Sequence, residues 1–347
     1  MAVAAELRAR GAEVSFLGTR ERAEADLVPA AGYEIDYLAV QGLDRDNPLK
    51  AAAAALRATA AVPAARRALR RHDADVVLGG GGYVAGPAGL AALSLRLPLV
   101  LSEADSHLGL ANRLLAGRAR RVCLAFPIPG RDGDRYLVTG RPVPVRVLTA
   151  ERGAARERFG IDPTRRCLLV VGGSQGAHSV NVCALSAFAA APDRDFEVLH
   201  VAGRRDYATL RERLADAGDD GYTLLEYEPD LGDCLAACDL VLGRAGGSIF
   251  ELTAAGRPAV LVPYPHATAD HQSSNADWMA QAGAAVVIPD AELEPRRLRE
   301  AVGELLGDGA RLEQMTAASR SLAKPDAAKQ IADEVLTAAS SRITNDK

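Results

Sequence analysis

Two glycine-rich stretches each follow a short apolar run and precede a predicted helix. GGSQG at 172–176 follows CLLVV, and GRAGGS at 243–248 follows DLVL. Glycines let a backbone bend sharply and approach a ligand closely, and the following helix presents unpaired N–H groups to an anion. One such loop is a weak signal, because many α/β proteins have tight turns of this kind without a ligand. Two of them, with Ser174, Arg244 and Ser248, indicate a phosphate site in the second half of the chain.

Glu251 lies in the opening turn of the helix predicted after the second loop. A carboxylate there can accept two hydrogen bonds from a ribose diol, each worth about 1.5–3 kcal/mol. The alternative is a first-turn carboxylate that is stabilised by the helix dipole. Because amides that hold phosphate and a carboxylate that holds ribose together describe a nucleotide, the binding role is favoured.

The stretch PYPHATADHQSSNADWM at 263–279 concentrates polar side chains between a predicted strand and a helix. Polar groups such as Gln272 and Asn275 at the carboxyl end of a strand suit recognition of sugar hydroxyls. A solvated loop with an Asp or Ser helix cap is the alternative.

The composition is that of a folded chain that does not bind nucleic acid in general. Of its 347 residues 48% are hydrophobic, which is enough for two domains, and the formal net charge is −4. The five cysteines are scattered and suit a reducing cytosol. Their spacing and that of the histidines give no metal site, and we expect no cofactor. Glycines and prolines break the apolar stretch 76–101, so it is not a membrane span.

The two halves of the chain follow one plan. Residues 73–103 and 237–265 both contain an Asp, an apolar strand, a glycine loop, an alanine-rich helix, then Arg, Pro and a second apolar strand. Apolar strands that alternate with helices indicate parallel sheets covered on both faces. We therefore expect an α/β protein of two Rossmann-like domains facing across a cleft, with a boundary within 138–161, giving domains 1–143 and 144–324.

Both ends of the chain carry predicted helices. Residues 1–11 form a helix that ends at Gly11, followed by a strand at 13–17. This is the second half of a β-α-β unit, so the first strand of the N-terminal domain is missing. Either another segment fills its place or the natural chain begins before Met1, and we favour the second interpretation. We expect the amphipathic helix at 325–341 to pack back on the first domain.

Four stretches in order, GGGGYVAGP, VVGGSQGA, GRAGGSIFELTAAGRPAVLVPYP and DHQSSNA, resemble the MurG family of glycosyltransferases. The likeness covers nearly the whole chain. It implies a GT-B fold and transfer of N-acetylglucosamine from UDP-N-acetylglucosamine to lipid I, giving lipid II in peptidoglycan synthesis. Such enzymes invert the anomeric centre without a metal ligand, because a base deprotonates the acceptor hydroxyl while amides stabilise the departing UDP.

The resemblance also implies which residues bind. The donor-binding residues would be Gly173, Ser174, Gln175, Gly176, Tyr227, Glu228, Arg244, Gly247, Ser248, Glu251, Gln272 and Asn275. The acceptor-side residues would be Tyr83, Glu103, Asp105 and Asn112. Among the donor residues, Ser174 and its neighbouring amides would contact the diphosphate, Glu251 the ribose and Gln272 the sugar hydroxyls. The backbone near Tyr227 would meet the uracil edge.

The chain departs from the family pattern at several positions. The N-terminal glycine loop with its candidate base histidine is absent from this sequence. SEAD at 102–105 stands where the family reads His-Glu-Gln-Asn, so only Glu103 matches. Arg141 and Arg146 are displaced from the family's arginine position. The best candidate base in this chain is His107, for which a structural role near a helix start is the alternative.

The expected enzyme is a UDP-N-acetylglucosamine-dependent hexosyltransferase, peripheral on the cytoplasmic face of the membrane. Its expected partners are the donor, a lipid-linked acceptor and proteins of cell-wall synthesis, but not nucleic acid. Arginines within 49–71 and 113–121 would attract anionic lipid, or they are simply solvated helix faces. One alternative is a non-catalytic UDP-sugar-binding partner of cell-wall assembly. Another is a different GT-B enzyme, either a glycolipid transferase or a UDP-sugar 2-epimerase.

Overall fold

Alternating strands and helices form two α/β units, each with parallel sheets. The computed structural model describes residues 1–41, 48–173, 176–189, 191, 194–218, 220–267 and 270–345. Unit 1 comprises Met1–Pro142 with Asp326–Lys347, and unit 2 comprises Val143–Pro325.

The strands are β1 (Ser15–Gly18), β2 (Glu34–Tyr37), β3 (Val77–Gly79), β4 (Leu99–Glu103), β5 (Arg121–Leu124), β6 (Tyr136–Val138), β7 (Arg166–Val171), β8 (Phe196–Val201), β9 (Tyr222–Leu225), β10 (Leu240–Gly243), β11 (Ala259–Leu261) and β12 (Ala285–Val287). The helices are α1 (Ala2–Ala9), α2 (Glu24–Ala30), α3 (Pro48–Arg71), α4 (Gly82–Ser94), α5 (Leu110–Leu115), α6 (Val145–Thr149), α7 (Arg152–Phe159), α8 (His178–Phe188), α9 (Tyr207–Ala217), α10 (Leu231–Ala237), α11 (Ile249–Ala254), α12 (His271–Gln281), α13 (Pro295–Gly307), α14 (Gly309–Ser321) and α15 (Ala327–Asn345).

Unit 1 contains two parallel sheets. One pairs β1 with β2, and the other has the order β3-β4-β5-β6. Within the described residues no strand joins these two sheets. The apolar side of α15, with Ile331 and Val335, packs with Leu7 of α1, Val100 of β4 and Cys123 of β5. The C-terminal helix is therefore part of the core of unit 1.

Unit 2 has one six-stranded parallel sheet with the order β12-β11-β10-β7-β8-β9. The order reverses between β7 and β10, as in a doubly wound dinucleotide-binding fold. Buried Asp239, at the start of β10, accepts hydrogen bonds from Arg156 Nη2 at 2.9 Å and from the Cys167 N–H at 2.9 Å. Because the guanidinium of α7 and a backbone N–H of β7 both donate to this one carboxylate, Asp239 ties β10 to α7 and to β7.

Burial also sets the chemistry of the thiols. All five cysteines are free and buried, and desolvation raises the pKa of the Cys183 thiol to about 11. Since the thiolate is the reactive form, these cysteines serve as small apolar side chains.

Among the described helices, none combines the length and apolar character that crossing a bilayer requires.

A buried polar chain crosses the core of unit 2. The His200 ring contacts the Tyr222 hydroxyl through Nδ1 at 2.7 Å and the Asn181 Oδ1 through Nε2 at 3.1 Å. Asn181 Nδ2 donates in turn to Asp206 Oδ2 at 2.9 Å and to the Ala202 carbonyl at 2.7 Å. The set is satisfied by a neutral imidazole with its proton on Nε2, and burial lowers the pKa of His200 from 6.5 to about 3.

This pKa shift gives a pH dependence of stability. Because the unfolded chain protonates His200 near pH 6.5 and the folded chain does not, stability is fully present above that pH and falls below it. We expect the free energy of unfolding to be about 1 kcal/mol lower at pH 5.5 than at pH 7 from this residue alone. His200→Gln should remove that difference, measured by chemical denaturation at both pH values. An equal pH dependence in the variant would contradict the assignment.

Candidate functional site

The loops after β7 and β10 leave the sheet of unit 2 side by side. β7 and β10 are parallel neighbours in which Gly243 pairs with Val171. They flank the reversal of strand order, and ligands of doubly wound sheets bind outside the carboxyl ends of the strands at that point. The first glycine loop (172–176) and the second glycine loop (243–248) therefore border the expected ligand position.

The first glycine loop has room only for glycine at two positions. A Cβ on Gly172 would stand 2.2 Å from the Ala177 nitrogen, and one on Gly176 would stand 2.3 Å from the Ala202 carbonyl oxygen. Gly173 and Gly176 both have positive φ, at +79° and +75°. Predicted residues Ser174 and Gln175 lie outside the described residues. The flanking backbone thus turns tightly at the start of α8, which leaves its amides close to the ligand position.

Arg244 of the second glycine loop has protein partners on several sides. Its Nη1 donates to Asp290 Oδ1 at 2.6 Å and to the Val262 carbonyl at 3.0 Å, and its Nη2 donates to Ser179 Oγ at 2.7 Å. The structure therefore places Arg244 as a brace between β10, β11 and α8. Asp290 and Ser179 were not predicted, because they are distant in sequence and only the shared sheet edge brings them together.

The two predicted sugar-binding residues of α12, Gln272 and Asn275, have different surroundings. Buried Asn275 donates from Nδ2 to the Ala245 carbonyl at 2.9 Å and so fastens the second glycine loop. Half-buried Gln272 accepts the Tyr264 N–H on Oε1 at 3.0 Å. Its Nε2 lies 3.9 Å from where a Gly246 Cβ would stand. Gln272 therefore faces the loop, whereas the Asn275 amide supports it.

The remaining predicted donor residues of unit 2 are only partly covered by protein. Gly247, Ser248 and Glu251 are half-buried in the second glycine loop and the first turn of α11. Tyr227, which follows β9, is 43% exposed. The Glu228 carboxylate accepts from Arg158 Nη2 at 2.6 Å and from the Asp230 N–H at 2.9 Å. Its side chain is thus structural, which leaves the backbone of this segment for a ligand.

In unit 1, predicted residue Glu103 organises a loop. Its carboxylate is buried and accepts hydrogen bonds from the Gly109 N–H at 2.8 Å, Asn112 Nδ2 at 2.9 Å and the Asp105 N–H at 3.2 Å. Asn112 is itself fully buried. Glu103 and Asn112 therefore hold the segment between β4 and α5 in shape from inside.

The other unit 1 candidates face outward to different degrees. Asp105 is exposed, whereas Tyr83 and His107 are half-buried. Tyr83 lies in the first turn of α4, with the Arg22 guanidinium 5.8 Å from its ring centroid. These side chains follow β3 and β4, whose carboxyl ends lie at the same edge of the unit 1 sheet. Of the acceptor-side predictions, Tyr83 and Asp105 remain accessible to a ligand, as does the candidate base His107.

Within the described parts of the chain, no three His, Cys, Asp or Glu side chains lie close enough together to hold a metal ion.

Both halves of the chain match domains of known glycosyltransferases. Residues 1–124 match the glycosyltransferase family 28 N-terminal domain, and residues 167–331 match its C-terminal domain. The chain is 41% identical over 336 residues to a UDP-N-acetylglucosamine–N-acetylmuramyl-(pentapeptide) pyrophosphoryl-undecaprenol N-acetylglucosamine transferase of Moorella thermoacetica, covering 94% of this chain and 91% of that protein. A protein of the same name from Halorhodospira halophila is 40% identical, covering 96% and 92%.

A crystal structure of Acinetobacter baumannii MurG is also similar, with a TM-score of 0.76, 28% identity and coverage of 97% of this chain and 94% of that one. The chain belongs to the MurG family of glycosyltransferases. The predictions of that family and of a GT-B fold with two Rossmann-like domains are confirmed.

The crowding at Gly172 makes a specific prediction. Gly172→Ala should lower the free energy of unfolding by about 1–3 kcal/mol, because the new methyl group overlaps the Ala177 backbone. The matched control is Gly153→Ala in α7, where a Cβ meets no atom within 4 Å. That change should raise stability by about 0.5–1 kcal/mol, since alanine favours a helix. Equal effects of the two substitutions in urea denaturation would disprove the close approach.

Proposed function

We propose that this protein is an inverting glycosyltransferase that moves N-acetylglucosamine from UDP-N-acetylglucosamine to undecaprenyl-pyrophosphoryl-N-acetylmuramyl-pentapeptide. The product is lipid II. The observation that carries this proposal is the pair of glycine loops at the strand reversal of unit 2. It supports binding of a nucleotide, and the names of the related transferases supply the sugar and the acceptor.

The donor lies along the carboxyl edge of the unit 2 sheet. The diphosphate lies against the backbone amides of the first and second glycine loops. Because no Cβ fits at Gly172 or Gly176, no side chain at these two positions covers the amides. Tyr227 follows β9, two strands from β7, or about 10 Å away. That spacing suits a uracil at the β9 end and phosphates at β7. Glu251 receives the ribose hydroxyls, and Gln272 reads the sugar.

The leaving group needs no metal in this scheme. As the glycosidic bond to UDP breaks, negative charge develops on the diphosphate, and preorganised amides stabilise that charge. Arg244 contributes indirectly, because its hydrogen bonds to Ser179 and Asp290 hold the second glycine loop in place. It is a positioning residue for the donor.

Unit 1 provides the acceptor contacts and the candidate base. Glu103 is poorly suited to proton transfer, since its two oxygens already accept three hydrogen bonds. His107 is half-buried on the loop that Glu103 shapes, and an imidazole nitrogen is the commonest general base in enzymes. We assign it as the base that deprotonates the acceptor hydroxyl.

The acceptor determines where the enzyme works. A polyprenyl chain stays within the bilayer, and the nucleotide-sugar donor is water-soluble. We therefore place the protein at the cytoplasmic surface of the membrane. Proteins that make or use the same lipid-linked intermediates are its proposed partners.

The donor assignment predicts a loss of nucleotide affinity. Glu251→Ala removes both hydrogen bonds to the ribose, so UDP should bind about 100-fold more weakly by calorimetry. Glu300→Ala on the exposed surface of α13 is the matched control and should bind UDP like the wild type. Unchanged affinity in the Glu251 variant would defeat the ribose assignment.

The base assignment predicts a defect in turnover alone. His107→Gln should reduce kcat for transfer of labelled N-acetylglucosamine to a lipid I analogue by about 10²–10⁴-fold, with UDP affinity unchanged. Full turnover in this variant would exclude His107 as the base. UDP-sugar binding by the wild type without any transfer would instead support a non-catalytic binding protein.

A further inference from the structure

A cavity of about 530 Å³ lies at the edge of the unit 1 sheet opposite the predicted acceptor residues. Its walls include Arg96, Arg118, Arg120 and Arg135, with Ser341 of α15. These arginines precede β4, β5 and β6 and so lie at the amino ends of the strands. Glu103 ends β4 at the other edge. We name this cavity the arginine pocket.

The four guanidinium groups carry uncompensated charge. Among the described residues that line the arginine pocket none is acidic, and none of the four arginines forms an ion pair with a described carboxylate. All four are exposed. Positive charges gathered on a concave surface attract a counter-ion, and guanidinium groups match phosphate oxygens in two-point hydrogen bonds.

The backbone places Arg120 and Arg135 at the starts of two neighbouring strands. The Arg120 N–H donates to the Leu99 carbonyl at 2.7 Å, and the Arg135 carbonyl accepts from the Val122 N–H at 2.8 Å. Both residues thus enter neighbouring strands of one sheet, which are about 5 Å apart. Their side chains start from a rigid frame rather than from a loose loop.

Arg96 occupies a backbone conformation that favours glycine. It follows α4 with φ +58°, and the Leu97 N–H donates to the Ala92 carbonyl in the turn that ends the helix. The equivalent position of the repeat in unit 2 is Gly256, with φ +64°. An arginine at this position carries a conformational cost that glycine avoids.

We propose that the arginine pocket binds a phosphate-bearing anion of about the size of pyrophosphate, at a site separate from the donor site of unit 2. Four guanidinium groups match the several negative charges of such a group. The ligand is either a free phosphate compound or the phosphate headgroup of a lipid. The inference does not depend on the proposed transferase activity.

The test uses a label inside the arginine pocket, so that binding at the donor site does not interfere. All native cysteines are buried, so Ser341→Cys adds one accessible thiol for a trifluoromethyl tag. Titration with inorganic pyrophosphate at low ionic strength should shift the fluorine resonance to saturation. No shift with pyrophosphate or with the vesicles described below would overturn the proposal.

Arg96→Gly separates binding from folding. In the labelled protein it should weaken pyrophosphate binding at least fivefold while Tm stays equal or rises, because glycine suits the positive φ. Arg118→Gln with Arg120→Gln should weaken binding further. Arg296→Gln, on the exposed face of α13, is the charge-matched control and should have no effect. Equal weakening by the control, or full binding in both pocket variants, would overturn the proposal.

Vesicles distinguish the two sources of phosphate. A fluorine shift that only phosphatidylglycerol vesicles produce, and that Arg96→Gly removes, would support a lipid headgroup. Saturation by free pyrophosphate with no response to those vesicles would support a soluble phosphate compound. A response to uncharged phosphatidylcholine vesicles that Arg96→Gly leaves unchanged would mean apolar contact instead and would overturn the proposal.

Discussion

The close approach of β7 and β10 is the constraint on which the candidate site depends. A Cβ on Gly243 would stand 2.6 Å from the Val171 carbonyl oxygen. At Gly172, where the chain leaves β7, a Cβ would stand 2.2 Å from the Ala177 nitrogen just before α8. Because no side chain fits at either position, the two loops leave the sheet together and present backbone rather than side chains to a ligand. An anion can then approach the amides directly.

Most polar side chains near the glycine loops support the backbone. Arg244 bonds to Ser179 and Asp290, and Asn275 holds the Ala245 carbonyl. Losing such a bond leaves a buried donor unpaired, which is costly in a low dielectric, so the Arg244 guanidinium and the Asn275 amide nitrogen must keep their partners. Substituting them would move the second glycine loop, which is the loop proposed to hold the donor.

The two units use the same strand–loop–helix plan for different purposes. In unit 2, Asp239 at the start of the repeat is buried and ties β10 to β7 and α7. In unit 1, the equivalent Asp75 is largely exposed and its carboxylate lies 3.7 Å from Arg342 of α15. The repeat also places Gly256 after one helix and Arg96 after the other. The same backbone plan is thus followed by the second glycine loop in unit 2 and by the arginine pocket in unit 1.

The sequence by itself determined the class of fold, the glycine loops and the family. Apolar strands alternating with helices permit few arrangements other than parallel sheets, and the glycines of 172–176 mark turns that no other residue can make. The C-terminal helix was also predictable, because its apolar positions recur with helical spacing.

The roles of individual polar side chains were decided by the tertiary structure. Arg244 and Glu103 looked like ligand contacts in the sequence, yet both have protein partners: Arg244 bonds to Asp290, 46 residues away, and Glu103 closes its own loop. The arginine pocket likewise unites residues from three strand starts and α15. Local sequence fixes the backbone turn, whereas the partner of a long polar side chain depends on which distant segments the fold brings to the same edge of a sheet.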